Sequence, residues 1–243
     1  RIITFTTMYA LSAYAVVQAH NTMWIDELII LPLLVLGIER MIRRRNNTLY
    51  CSALALAMIV NFYIGYMMCI FAVFYAVYRY FSYSEFERNP EGVKNHFLRV
   101  LLRMIILSVI AAMIASVIIL PTWYSLQFGK TTFSNPDYSF NQRFDFLDLL
   151  VKFYPGSYDT VRPEGLPFVY CGTLTLIMLP LYFMTPGVKK REKVWGGIAL
   201  LFFSFCFNGS TIDIFWHGMQ KPNWLNYRYS FMLIFFVVLF GYK

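Results

Sequence analysis

The stretch Asn61-Phe62-Tyr63-Ile64-Gly65-Tyr66 interrupts an apolar run that extends from Thr48 to Phe81. Its reading decides the fold. As one long helix, the run would place the basic cluster Arg43, Arg44 and Arg45 and the basic segment from Arg88 to Arg103 on opposite sides of a membrane. As a hairpin turning at residues 61–66, it puts both on the same side. Gly65 can supply the turn, and Asn61 can hydrogen-bond the backbone exposed there. The hairpin is the preferred reading, because every other connection then falls into a consistent order.

Outward from this stretch, the chain alternates apolar runs of membrane length with two kinds of connection. One set is basic, at 43–47, 82–99 and 186–193, with Lys243 after the last run. The other is aromatic and polar, at 20–24, 62–63, 121–166 and 208–227. Of the 21 Lys and Arg, only Lys130, Arg143, Lys152, Arg162, Lys221 and Arg228 lie on the second side. Cytoplasmic connections retain Lys and Arg, so this bias orients a multi-pass protein with its basic loops cytoplasmic.

Composition agrees. The chain is 58% hydrophobic and only 14% charged, against about 25% charged in soluble domains. The net charge of +8 is not a nucleic-acid signal, because the basic residues flank apolar runs instead of clustering on an exposed domain. Their plain reading is topology and contact with anionic headgroups. Cys51, Cys69, Cys171 and Cys206 all lie inside apolar runs without a CxxC or Cys/His spacing, so neither a metal site nor a disulfide framework is indicated. No cofactor is expected.

The predicted fold is all-α, a polytopic transmembrane helical bundle. About eight segments are expected, at 2–19, 25–42, 49–61, 64–80, 100–120, 167–184, 194–207 and 228–242. A perpendicular span needs about 20 residues, so the third and seventh are short. Residues 1–243 read as a single transmembrane region of a longer protein. The outer loop at 121–166 carries a short amphipathic segment, Phe144 to Phe153, suited to lie flat in the headgroup layer.

Three constellations can carry chemistry. His20, Asn21, Asp26 and Glu27 run from an outer turn into the head of an apolar helix. Two carboxylates beside hydrocarbon are costly unless they face a cavity or find partners. Either both tilt toward one aqueous pocket, or they complement the helix dipole while Asn21 or Thr22 caps. The second constellation, Lys221, Asn223, Tyr227, Arg228 and Tyr229, enters the last segment. The Arg fork suits phosphate, and the alternative is an interfacial belt with a snorkelling Arg. The third gathers Tyr154, Tyr158, Asp159 and Arg162 in a loop, where an ordered turn is the plainer reading. There is no P-loop, dinucleotide turn, nucleophile elbow or HExxH motif, so ATP-driven and common hydrolase chemistry lack support.

The same residues carry a family resemblance. Tyr9-Ala-Leu-Ser-Ala-Tyr14, Asn21-Thr-Met-Trp24-Ile-Asp26, Leu31-Pro32-Leu33 and Gly37-Ile-Glu39-Arg40 resemble the bacterial YfhO membrane protein family. So do Asn61-Phe-Tyr-Ile-Gly65-Tyr66-Met and Asn223-Trp-Leu-Asn-Tyr-Arg228-Tyr-Ser-Phe231. The resemblance implies a GT-C-like glycosyltransferase of the bacterial cell membrane. Such an enzyme takes a sugar from an undecaprenyl-phosphate carrier and adds it to a cell-envelope polymer, with teichoic acid as the suggested acceptor. The general GT-C pattern implies a catalytic Asp in a first outer loop, upstream of Arg1.

Within this chain the expected catalytic residues are Asp26, Glu27 and His20. Substrate binding falls to Asn21, Asn61, Tyr158, Asp159, Lys221, Asn223, Tyr227 and Arg228, with Arg228 and Lys221 on the polyprenyl phosphate and no metal. A secondary transporter or lipid-linked sugar flippase is the rival. It is disfavoured because the polar groups collect at the outer ends and no repeat is evident. A non-catalytic membrane subunit is the third reading.

Overall fold

The apolar runs end where a side chain can take over backbone hydrogen bonds, and Asn61 is the clearest case. The computed structural model describes residues 1–43, 46–82, 93–128, 138–157, 165–220, 222 and 226–243. Helix α4 (Thr48–Val60) stops at Asn61, whose backbone is extended at φ −149 and ψ 98. The Asn61 side-chain oxygen accepts hydrogen bonds from the N–H groups of Tyr63 and Ile64, both at 3.1 Å, and so caps helix α5 (Phe62–Ser82). These are donors that the first turn of a helix leaves without intrahelical partners.

The chain doubles back at this point. A Cβ on Gly65 would lie 2.9 Å from the Met58 Cα. In a continuous helix seven residues rise by about 10 Å, so only a reversal brings these backbones together. The expected hairpin is therefore present but tighter than its sequence suggests. Asn61 alone makes the break. Gly65 lies inside α5, where its missing side chain lets α4 approach, and it does not form the turn.

Helix α3 (Thr22–Ile42) packs on both arms of this hairpin. Near its start, the Met23 carbonyl accepts from Asn61 Nδ2 at 3.2 Å. Near its end, Gly37 lies against the Tyr50 backbone, where a Cβ would come within 2.7 Å. Glu39 there accepts from Tyr75 Oη at 2.9 Å, pairs with Arg79, and lies 3.6 Å from Arg43. Thus α3 and α5 run in one direction and α4 in the other. Helix α6 (Val93–Gln127) packs on α4, with Tyr50 Oη 2.7 Å from Ser108 Oγ. Near its start, the His96 ring stacks on Tyr80. Arg40, Arg43, Arg79 and Arg99 of this unit, Thr22–Thr131, therefore gather at the end opposite Met23 and Asn61. Pro121 does not end α6, which runs on to Gln127, so the loop expected from 121 begins later.

The second unit comprises Arg1–Asn21 and Thr132–Lys243. Its first expected segment, 2–19, is broken into α1 (Ile2–Ala10) and α2 (Ala13–Val17). Ser12 is extended between them, and the Ala13 N–H donates to the Tyr170 carbonyl at 2.8 Å. Helix α7 (Phe146–Val151) is the expected short amphipathic segment, N-capped by Asp145, which accepts from the Leu147 N–H at 3.2 Å. Then follow α8 (Thr173–Met184), α9 (Lys190–Asn208), α10 (Ser210–Trp216) and α11 (Ser230–Tyr242). Helix α11 is apolar on every side, as a central helix must be, and packs against α1, α2, α8 and α9.

Among the described residues there is no strand beyond a single bridge between Gln142 and Gly209, so the all-α class holds. Among the described residues, two helical stretches, Phe62–Ser82 and His96–Gln127, are long and apolar enough to cross a membrane.

Candidate functional site

A carboxylate with apolar neighbours along its helix must find partners in space. Asp213 follows Ile212 and precedes Ile214-Phe215-Trp216 on α10, and its side chain has no solvent exposure (0%). Three groups meet it. The Arg143 guanidinium lies 2.8 Å from one carboxylate oxygen. Tyr229 Oη donates to the other at 2.9 Å and lies 3.0 Å from the Cys206 carbonyl. His217, one turn along, places Nδ1 2.7 Å from the Asp213 carbonyl and 3.5 Å from its carboxylate. A buried ionised group needs such a set, because pairing and hydrogen bonds offset its desolvation.

Arg143 is delivered from a distant part of the sequence by a backbone clamp. Asn208 Oδ1 accepts from the N–H groups of Arg143 and Phe144, both at 3.1 Å, and the Asn208 carbonyl accepts from Arg143 at 3.0 Å. Ser210 and Asn141 exchange bonds beside it, with the Asn141 N–H on Ser210 Oγ at 2.8 Å and the Ser210 N–H on the Asn141 carbonyl at 3.1 Å. The Asn208-Gly-Ser210 pattern of a glycosylation acceptor is thus a structural clamp whose Asn208 is buried. Aromatic rings close the cluster. Trp216 stacks on Tyr229 at 4.6 Å, and the Arg143 guanidinium sits over the Tyr227 ring at 5.8 Å. Tyr227 holds a left-handed backbone (φ 57) that non-glycine residues rarely adopt, and this turns the chain into Arg228 and Tyr229 ahead of α11.

The electrostatics follow from burial and charge together. Burial lowers the His217 pKa, and the charges of Arg228 and Arg143 add to that, outweighing the opposing pull of Asp213. Burial alone would lower the Arg143 pKa, but Asp213 and Tyr227 outweigh it and the net direction is upward. Burial raises Tyr227 to about 12 despite Arg143 beside it. The site therefore sets the Arg143 guanidinium against the Asp213 carboxyl, beside an imidazole that resists protonation. An apolar groove of about 490 Å³ lies where α7 ends. Leu150, Phe153 and Tyr154 line one wall, and Thr173, Leu176 and Pro180 of α8 line the other.

The sequence matches the family described as bacterial membrane protein YfhO over residues 1–243. The chain belongs to the YfhO family. Over 218 residues it is 24% identical to a Bacillus subtilis (strain 168) protein named uncharacterized protein YfhO, a match covering 90% of this chain. The chain spans about a fifth (22%) of the length of that curated relative. No solved structure matches it.

In this YfhO-family chain the residues expected to act fall into different settings. Tyr227 and Arg228 join the Asp213 cluster. Tyr158, Asp159, Lys221 and Asn223 lie outside the described residues. His20 and Asn21 form a local turn, with His20 Nδ1 2.9 Å from the Val17 carbonyl and Asn21 Nδ2 donating to Gln18 at 3.2 Å. Asn61 is occupied in capping α5 and bonding Met23. The shared pocket expected for Asp26 and Glu27 is not present, because Asp26 is exposed whereas Glu27 is wholly buried. Successive helical residues point about 100° apart, and here that angle separates solvent from core.

Asp213, Arg143, His217 and Asn208 were missed as site residues. The only available signal was Asp213 itself, an acid flanked by isoleucines within an aromatic stretch.

Proposed function

We propose that this chain is part of a GT-C-like membrane glycosyltransferase of about eight spans. It moves a sugar from a polyprenyl-phosphate carrier to a cell-envelope polymer such as teichoic acid, on the outer face of the bacterial membrane. The basic end of the Thr22–Thr131 unit then lies in the cytoplasm, in keeping with the retention of Lys and Arg there.

The observation that carries this reading is the meeting of Arg228 and Arg143 charge at His217, with α7 leading from Arg143 to an apolar groove. A lipid phosphate combines the same two chemistries, an anionic head and a hydrocarbon tail. In the transfer step the acceptor hydroxyl gives its proton to a base, and its oxygen forms a bond to the anomeric carbon. The bond from that carbon to the phosphate oxygen breaks, and the polyprenyl phosphate leaves with the electron pair. Arg228, aided by Lys221, stabilises the charge that develops on it. The first candidate for that base is the Asp that the GT-C pattern implies in a first outer loop, with the exposed Asp26 ranked after it.

The test uses the full-length protein in vesicles supplied with a polyprenyl-phosphate sugar. Arg228→Ala should lower transfer by at least about tenfold, a loss typical of removing one charge-stabilising donor, with Arg228→Lys retaining part of it. Wild-type transfer rates in Arg228→Ala would overturn the phosphate assignment. Movement of the lipid-linked sugar across the bilayer without bond transfer would replace the enzyme with a flippase.

A further inference from the structure

Glu27 stands apart from every other acid described in this chain. Its side chain has no solvent exposure (0%), and neither carboxyl oxygen has a hydrogen-bond partner. Helix α3, which carries it, packs on α4 and α5. The titratable groups that act on this position are Asp26 on its own helix and Cys69 on α5. On α4, Tyr50 and Cys51 lie at the far end, beside Gly37. The cations Arg43 and Arg79 sit on Glu39, twelve residues further along α3, which is about 18 Å at the helical rise. No positive charge in the described part of this unit is therefore in reach of Glu27.

We propose that Glu27 is a proton-binding site in the interior of this helical unit, its carboxyl carrying the proton and remaining uncharged in neutral medium. An isolated carboxylate taken out of water and left without donors neutralises by binding a proton. Acids within membrane helices mark ion or proton positions for the same reason. The proton is the ligand this chemistry selects. A metal cation requires several converging oxygens, and no group of three or more His, Cys, Asp or Glu converges among the described residues. This inference is independent of sugar transfer. It concerns a group that the proposed chemistry leaves unused.

Infrared spectroscopy of the full-length protein in liposomes tests it. The wild type at neutral pH should show a protonated carboxylic-acid carbonyl band that shifts in D2O and disappears in Glu27→Gln. Asp26→Asn should leave the band in place. Raising the pH should convert it to carboxylate absorption with a single transition. A wild-type minus Glu27→Gln difference spectrum containing only carboxylate bands at neutral pH would overturn the proposal. That result would mean that another part of the protein supplies Glu27 with a cation. Should Glu27→Gln fail to fold, wild-type protein with isotope-labelled glutamate gives the same decision, since absence of a labelled acid band at neutral pH defeats the idea.

Discussion

Two carboxylates in this protein are equally buried and oppositely equipped. Asp213, in the unit of Arg1–Asn21 and Thr132–Lys243, has a guanidinium, a phenol and an imidazole around it. Glu27, in the unit of Thr22–Thr131, has none of these. The difference teaches how each unit is held. The first is organised around a paired charge whose partners come from three separate stretches of sequence. The second is organised around steric fit, with Gly37 and Gly65 letting backbones touch and its ion pairs gathered at one end.

The sharpest way to break this comparison is to replace each acid by its amide. Asp213→Asn should destabilise the protein by about 3 kcal/mol, the lower end for a broken buried pair because Arg143 keeps some solvent. A detergent-solubilised melting curve reads it, and an unchanged melting temperature would mean that the pair is not formed. Gly37→Ala tests the other unit's principle. Its Cβ would meet the Tyr50 backbone, which cannot rotate away, so overpacking should cost about 1–3 kcal/mol. The same substitution at Gly156, with nothing near its Cβ position, is not an equivalent control, because that glycine has φ 78. Gly197→Ala is a better one, since its nearest neighbour is a side-chain atom at 3.8 Å, and it should cost little.

A pH series sharpens the picture of the Asp213 cluster. His217 has a lowered pKa in the folded protein because it is buried. Below about pH 6.5, the ordinary value for the unfolded chain, the unfolded state binds a proton that the folded state resists. Stability from this group is therefore full above that pH and declines as the pH falls through it. Melting curves at pH 7.5 and 5.5 should show the loss, and His217→Gln should flatten it. The smallest effect expected is that of Glu27→Gln, within about 0.5 kcal/mol at neutral pH, because amide and protonated acid are nearly alike in size and charge. A large loss there would make the two acids alike after all.

Much of the fold was legible because it rests on local signals. The apolar runs at 25–42, 49–61 and 64–80 match α3, α4 and α5 to within a few residues, since Asn61 is both the break in hydropathy and the cap. Three features were not legible, two of them because they depend on distant partners. The Ser12 break uses the Tyr170 carbonyl, α10 is held by the strip at 138–144, and α6 continues through Pro121. The site divided in the same way. Tyr227 and Arg228 stood out as a polar interruption before an apolar run. Asp213 and Arg143 are seventy positions apart, and no spacing rule links them.

Helix α6 carries a further consequence. From His96 to Gln127 it is 32 residues long, with only 17% of its most apolar window covered. At the helical rise this is about 48 Å, against a hydrocarbon layer of about 30 Å. Its uncharged stretch, Met104 to Tyr124, accounts for about 31 Å of this and fits the layer, so thinner lipid would be met by tilting the helix and thicker lipid by thinning the bilayer around it. Lipid thickness thereby becomes a control variable for this protein. Reconstitution in short-chain and long-chain lipids should shift the angle of α6, as polarised infrared dichroism would record.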